Sequence, residues 1–130
     1  MTTPNLGTRL ATLLALAALT VLLVPAMASA GDAAAGKPLF QANCATCHGM
    51  GGKGDGPVGA VLNPPPRDFT TAAFKYDTDG DGKPGTDADL VNVITKGAAA
   101  YGGSPLMAPW PMLTAAQVDD VVAYIRSLKP

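Results

Sequence analysis

Both cysteines and the single histidine of this 130-residue chain fall within five consecutive residues, Cys44-Ala45-Thr46-Cys47-His48. A disulfide over so short a spacing removes little unfolded-state entropy. A redox-active C-x-x-C is expected beside alternating strands and helices, and no such alternation flanks this one. A structural zinc site wants four Cys or His ligands, and the chain holds three such residues in all. Cys47 and His48 are neighbours whose side chains leave the backbone in different directions, which argues against a catalytic dyad. One chemistry uses all three residues together: C-x-x-C-H is a haem-attachment motif. The two thiols add to the two vinyl groups of the porphyrin, a separation that three residues of helical turn match. His48 then lies under the iron and supplies the proximal nitrogen.

The first thirty residues do not read as domain sequence. Arg9 is their only charged side chain, and Leu10 to Val24 is apolar apart from two threonines. That run spans roughly 23 Å as a helix, short of a bilayer core of about 30 Å. Pro25 breaks it, and Ala28-Ser29-Ala30 offers small residues at A-x-A positions. This is the layout of a secretory signal peptide over residues 1–30, with cleavage after Ala30. The competing interpretation is an uncleaved N-terminal anchor. The expected location is periplasmic or otherwise exported. Residues 31–130 then form one domain, whose core is small enough to need a staple or a cofactor. Its eight Lys and Arg face ten Asp, a net charge of −2. That balance excludes a nucleic-acid binder and, without a dense lysine ring, gives no clear electrostatic address.

Six glycines follow the histidine between Gly49 and Gly59. A phosphate-cradling loop requires G-K followed by Ser or Thr, whereas Lys53 precedes Gly54 and Asp55. A chain that must leave a helix and turn tightly around a flat ring edge accounts for them, since Cβ atoms there clash. For the second axial ligand, Met1 and Met27 leave with the leader, and Met50 is too close to His48 to reach the opposite face of the ring. Met107 and Met112 remain.

Helical periodicity is clear in two places. Thr114 and Gln117 form a capping box, followed by Val118, Val121, Val122, Ile125 and Leu128 on one face. A second helix is expected from Asp87 to about Lys96, with Leu90, Val91 and Ile94 inward and Gly97 ending it. No stretch reads as a convincing strand, and Asn63 to Thr70 is extended and proline-braced. Asp77, Asp79, Asp81 and Gly82 match the first half of a calcium loop. Position 12 of that loop is Ala88, where a bidentate Glu is required, and Asp87 or Asp89 could substitute only with altered spacing. Calcium at these aspartates is set against a solvated acidic turn, which the Asp-Gly content favours.

With these residues in place, the chain resembles the small monohaem class I cytochromes c. "AAGKPLFQANCATCHG" resembles their N-terminal helix and haem site, "GKGDGPVGAVLNPPPRDFT" the following loop, and "LTAAQVDDVVAYIRSL" the C-terminal helix. The resemblance implies an all-α fold of three to four helices packed around one covalently bound haem. It implies a crossing of the terminal helices near a glycine and an aromatic pair, for which Gly36, Phe40 and Tyr124 are the candidates. It implies that the Pro57 carbonyl accepts a hydrogen bond from the second nitrogen of His48, the alternative being an ordinary turn proline. It favours Met107 as the sixth ligand, with Met112 packing; Pro109 lies two positions after Met107 rather than the family's one. Arg67 and Trp110 are each candidates for a haem propionate, or else a surface charge and a core aromatic. The implied function is an electron carrier, expected as a monomer, exchanging single electrons with donor and acceptor oxidoreductases. The alternatives are a haem enzyme with a labile sixth ligand and an electron-entry subunit of a larger oxidoreductase.

Overall fold

The structure, a computed structural model, describes residues 30–130. The expected leader therefore lies outside the described residues, apart from Ala30. Among the described residues are four α-helices and no strand: α1 Ala33–Asn43, α2 Ala45–His48, α3 Asp87–Lys96 and α4 Ala115–Ser127. Two short 3-10 turns, Gly59–Val61 and Ala98–Tyr101, punctuate the loops. Each longer helix begins where a side chain satisfies its first free N–H groups. Asp32 accepts from the Ala34 N–H, and both Thr86 with Asp89 and Thr114 with Gln117 form reciprocal capping boxes. The expected span Asp87 to Lys96, closed by Gly97, is observed.

α1 crosses α4 at the centre of the fold. Gly36 permits the approach: a Cβ there would stand 1.9 Å from the Asp120 carbonyl oxygen. One turn further on, the rings of Phe40 and Tyr124 meet with centroids 5.2 Å apart. The expected crossing is therefore present at the expected residues. A second tie joins the same elements, from the Asp32 N–H to an Asp120 carboxylate oxygen at 2.7 Å. α3 adds Leu90 and Ile94 to a core built with Phe69, Val118, Val121, Val122 and Ile125. Burying each such side chain fully contributes about 1.5–3 kcal/mol.

This core places the C-x-x-C-H segment. α1 ends at Asn43, and the Cys44 N–H still reaches the Phe40 carbonyl at 2.8 Å, so the cysteines continue almost directly from the packed helix. The glycine-rich loop then doubles back on α2. The Gly56 N–H reaches the Cys47 carbonyl at 3.2 Å, and the Val58 N–H reaches that of Thr46 at 3.1 Å. At Gly59 a Cβ would stand 2.0 Å from the Cys47 carbonyl oxygen, so the chain can pass only without one.

Met112 departs from expectation. It is 68% exposed rather than packed. It lies in the turn before α4, ahead of the helical register, and the adjacent Leu113 takes the place against the core. Among the described residues, no helix is long and apolar enough to cross a membrane.

Candidate haem site

A cleft runs between α2, the proline-braced loop, α3 and the loop before α4. Its larger lobe encloses about 1070 Å³, including the space at its open mouth. A second lobe of about 540 Å³ shares Cys47, His48, Phe69, Ile94 and Met107 with the first and adds Cys44. The two cysteines, the histidine and Met107 thus border one continuous space.

Each donor is positioned by neighbouring backbone. His48 closes α2, its N–H donating to the Cys44 carbonyl at 2.9 Å. Its ring stacks on Phe69 with centroids 4.6 Å apart and an interplanar angle of 18°. Its Nδ1 lies 3.2 Å from the Arg67 carbonyl oxygen. A carbonyl only accepts, so Nδ1 carries the proton and the Nε2 lone pair is left for a metal. Burial pushes the His48 pKa below its ordinary 6.5, against the opposing pull of the Arg67 bond, which keeps the ring neutral as a ligand must be. Burial, and then the neighbouring Cys47, push the Cys44 thiol up to about 11. No disulfide joins the two cysteines.

Met107 is held from both sides. Its N–H donates to the Ser104 carbonyl at 3.2 Å, and its carbonyl accepts from the Ala98 N–H at 3.0 Å. The Gly103 N–H returns to the Ala98 carbonyl at 2.8 Å, so the loop is pinned to the 3-10 turn that follows α3. The other methionine left open by the sequence, Met112, lines neither lobe.

Pro57 is where the structure differs from the expectation. It is exposed and lines neither lobe, and the carbonyl that meets His48 Nδ1 is that of Arg67. The His48 ring leans on Phe69, and the Phe69 segment carries the Arg67 carbonyl to it. Of the two propionate candidates, Arg67 borders the larger lobe and Trp110 the smaller. Phe69 escaped the sequence analysis, since a single Phe in an extended stretch carries no periodic signal. Asp89 entered only as a substitute calcium ligand, although its capping-box spacing from Thr86 was readable.

The acidic turn is closed by its own hydrogen bonds. Asp77 accepts from the N–H groups of Gly80, Asp81 and Gly82 at 2.8, 3.1 and 2.9 Å. The carboxylates that gather within 4.8 Å are those of Asp77, Asp79 and Asp89. Asp81 stands apart from them, with Oδ1 capping the Lys83 N–H at 2.8 Å. The chain reverses after Gly82 and brings Asp89, not Asp81, beside the start of the turn.

An apolar cleft with paired thiols and a neutral imidazole on one wall and a thioether on another has the donor chemistry of a c-type haem. The residues present fit that group, and they define the class as a monohaem electron-transfer domain. A family model described as cytochrome c matches residues 33–129, and the chain belongs to the cytochrome c family. It is 37% identical over 105 residues to cytochrome c6 of Rippkaea orientalis (strain PCC 8801 / RF-1), covering 81% of this chain and 78% of that protein. It is 37% identical over 103 residues to cytochrome c-554(547) of Halothiobacillus neapolitanus, covering 77% of this chain and 100% of that protein. The cbb3-type cytochrome c oxidase subunit FixP of Bradyrhizobium diazoefficiens is 31% identical over 98 residues, which are 75% of this chain and 28% of that subunit. Among solved structures, a chain of the Kuenenia stuttgartiensis reducing HAO-like protein complex superposes with a TM-score of 0.61 at 36% identity. The match covers 73% of this chain and 41% of that one. The protein is a haem c electron carrier of this family.

Proposed function

We propose that this chain shuttles single electrons between exported oxidoreductases, and that Cys44 and Cys47 would hold the haem covalently while His48 and Met107 would ligate its iron. The observation that carries the ligand assignment is that His48 and Met107 border the same cleft while Met112 is outside it. When bound, the haem supplies a one-electron couple. The chain's own residues do the rest. Arg67 orients the imidazole through its carbonyl, and Phe69 holds the ring plane. Leu90, Ile94 and Ile125 keep water from the interior of the cleft. The pinned Ser104–Met107 turn keeps the thioether in place in both oxidation states, so a transfer need not wait for ligand exchange. No second histidine and no glutamate exist in the chain to serve O–O cleavage, which favours a carrier over a peroxidase-like enzyme.

The test is carbon monoxide binding by the reduced wild-type protein near neutral pH. A carrier with both ligands retained leaves its spectrum unchanged and does not turn over peroxide. Rapid carbon monoxide binding with loss of the low-spin spectrum rejects the carrier and promotes the enzyme. Docking with partners is expected to be brief and to bury less than about 1,200 Å² in total.

A second reading is an electron-entry module attached to a larger oxidoreductase. It is favoured by the likeness to the FixP subunit and to the chain of the HAO-like complex. Co-purification from membranes with a stable partner, rather than recovery as a free protein, distinguishes it.

A further inference from the structure

We propose that Asp89 acts as a fixed electrostatic bias on the bound haem, its buried carboxylate favouring the oxidised state and lowering the reduction potential. This rests on the haem-carrier reading of the same cleft.

Asp89 is 1% exposed and borders the larger lobe that also holds His48 and Met107. Its oxygens take four hydrogen bonds. Oδ1 accepts from the Thr78 N–H at 2.5 Å and the Thr78 hydroxyl at 2.7 Å. Oδ2 accepts from the Thr86 N–H and the Thr86 hydroxyl, both at 2.8 Å. Asn92 donates to the Thr78 hydroxyl at 2.9 Å and fixes it from behind. These donors, the Thr78 N–H foremost, hold the carboxyl well below the usual carboxylate range, so it is charged at neutral pH.

Among the described residues no lysine or arginine forms a salt bridge with this carboxylate, and the one salt bridge joins Arg126 to Asp87, at 2.8 Å. Nor does helix capping require the charge. Gln117 occupies the same position in α4, completes the same reciprocal box with Thr114, and is neutral and only half-buried. At α3 the fold instead buries an anion and spends a second pair of donors on it. Thr78 and Thr86 bracket the acidic turn, so the turn serves as the cage that keeps Asp89 ionised out of water. Asp77 and Asp79 lie close enough to add to the same field.

One electron entering the haem lowers its charge by one. A fixed anion nearby makes that step less favourable, and the effect is strong where water is excluded. A buried charge is also poorly screened by salt. Asp89 gains and loses no proton in the transfer; it only shifts the equilibrium.

The experiment is a mediator-coupled spectroelectrochemical titration of the haem-loaded protein at low and at high salt, with urea unfolding of each variant alongside. Asp89→Asn is expected to raise the equilibrium constant for reduction by at least about three-fold, at both salt concentrations. Thr78→Val keeps the charge while loosening the same cage, so it is expected to lower the urea midpoint without that rise. An unchanged or lower constant in Asp89→Asn overturns the proposal, and so does an equal rise in Thr78→Val. If Asp89→Asn does not fold, the exposed pair Asp77→Asn with Asp79→Asn decides. It is expected to give a smaller rise at low salt that vanishes at high salt, and no rise at low salt overturns the proposal. Protein that carries no covalent haem at all would instead overturn the carrier reading.

Discussion

Replacing Gly36 by alanine sets two effects of opposite sign against each other. Gly36 lies inside α1, where alanine is the better helix former by about 0.8–1.0 kcal/mol. Against this, the added Cβ would stand 1.9 Å from the Asp120 carbonyl oxygen, 2.4 Å from its carbon and 2.9 Å from the Val121 nitrogen. These are backbone atoms of α4 and cannot rotate aside. Ordinary contact needs about 3.5 Å, so the helices must part by roughly 1.6 Å. A gap of about 0.5–1 Å already forfeits a quarter to a half of the dispersion energy of a contact. The Phe40 and Tyr124 pair, one turn away, therefore loosens with the crossing. Overpacking of this kind costs about 1–3 kcal/mol and sometimes more, and the clash outweighs the helix term. The expected net loss is about 1–2 kcal/mol, which moves a urea midpoint down by about 0.5–1 M for an m-value near 2 kcal/mol/M. Lys37→Ala, at the exposed neighbouring position, should stay within about 0.5 kcal/mol of wild type. A Gly36→Ala protein as stable as wild type, or more so, would refute the close crossing.

Met107→Ala should abolish the far-red sulfur-to-iron absorption of the oxidised protein, while Met112→Ala should leave it intact; loss of the band from the Met112 variant alone would reverse the assignment. Phe40→Ala should cost about 3–5 kcal/mol, read as a fall in the denaturant midpoint, because the ring is fully buried against three other rings. Asp89 also sets a pH dependence. Its folded pKa is depressed below the ordinary 3.8, so its stabilisation is complete above that value and drains away as pH falls below it. Urea midpoints measured from pH 5 downward should therefore fall less steeply for Asp89→Asn than for wild type, and parallel curves would count against the ionised carboxylate.

Much of this was legible along the chain because it is local. The spacing of Cys44, Cys47 and His48 is carried by one helical turn and needs no distant residue to be recognised. The limits of α3 and the start of α4 were readable from Asp87, Gly97, Thr114 and Gln117, since caps act over three or four residues. Gly36, Phe40 and Tyr124 came from resemblance, and the crossing in the structure agrees with it. What sequence could not rank were contacts between segments far apart in the chain. His48 meets the carbonyl of Arg67, not of Pro57, because the proline-braced loop and the Phe69 ring converge on it from 19 residues away. Met112 is exposed because the turn into α4 gives its place to Leu113. Asp89 reads as a common helix cap until the chain reversal after Gly82 brings Thr78 against it, 11 residues upstream. Local bonding energies choose where helices start and stop. Which carboxylate loses its water, and which carbonyl faces the imidazole, follow only when packing has fixed the neighbours of each.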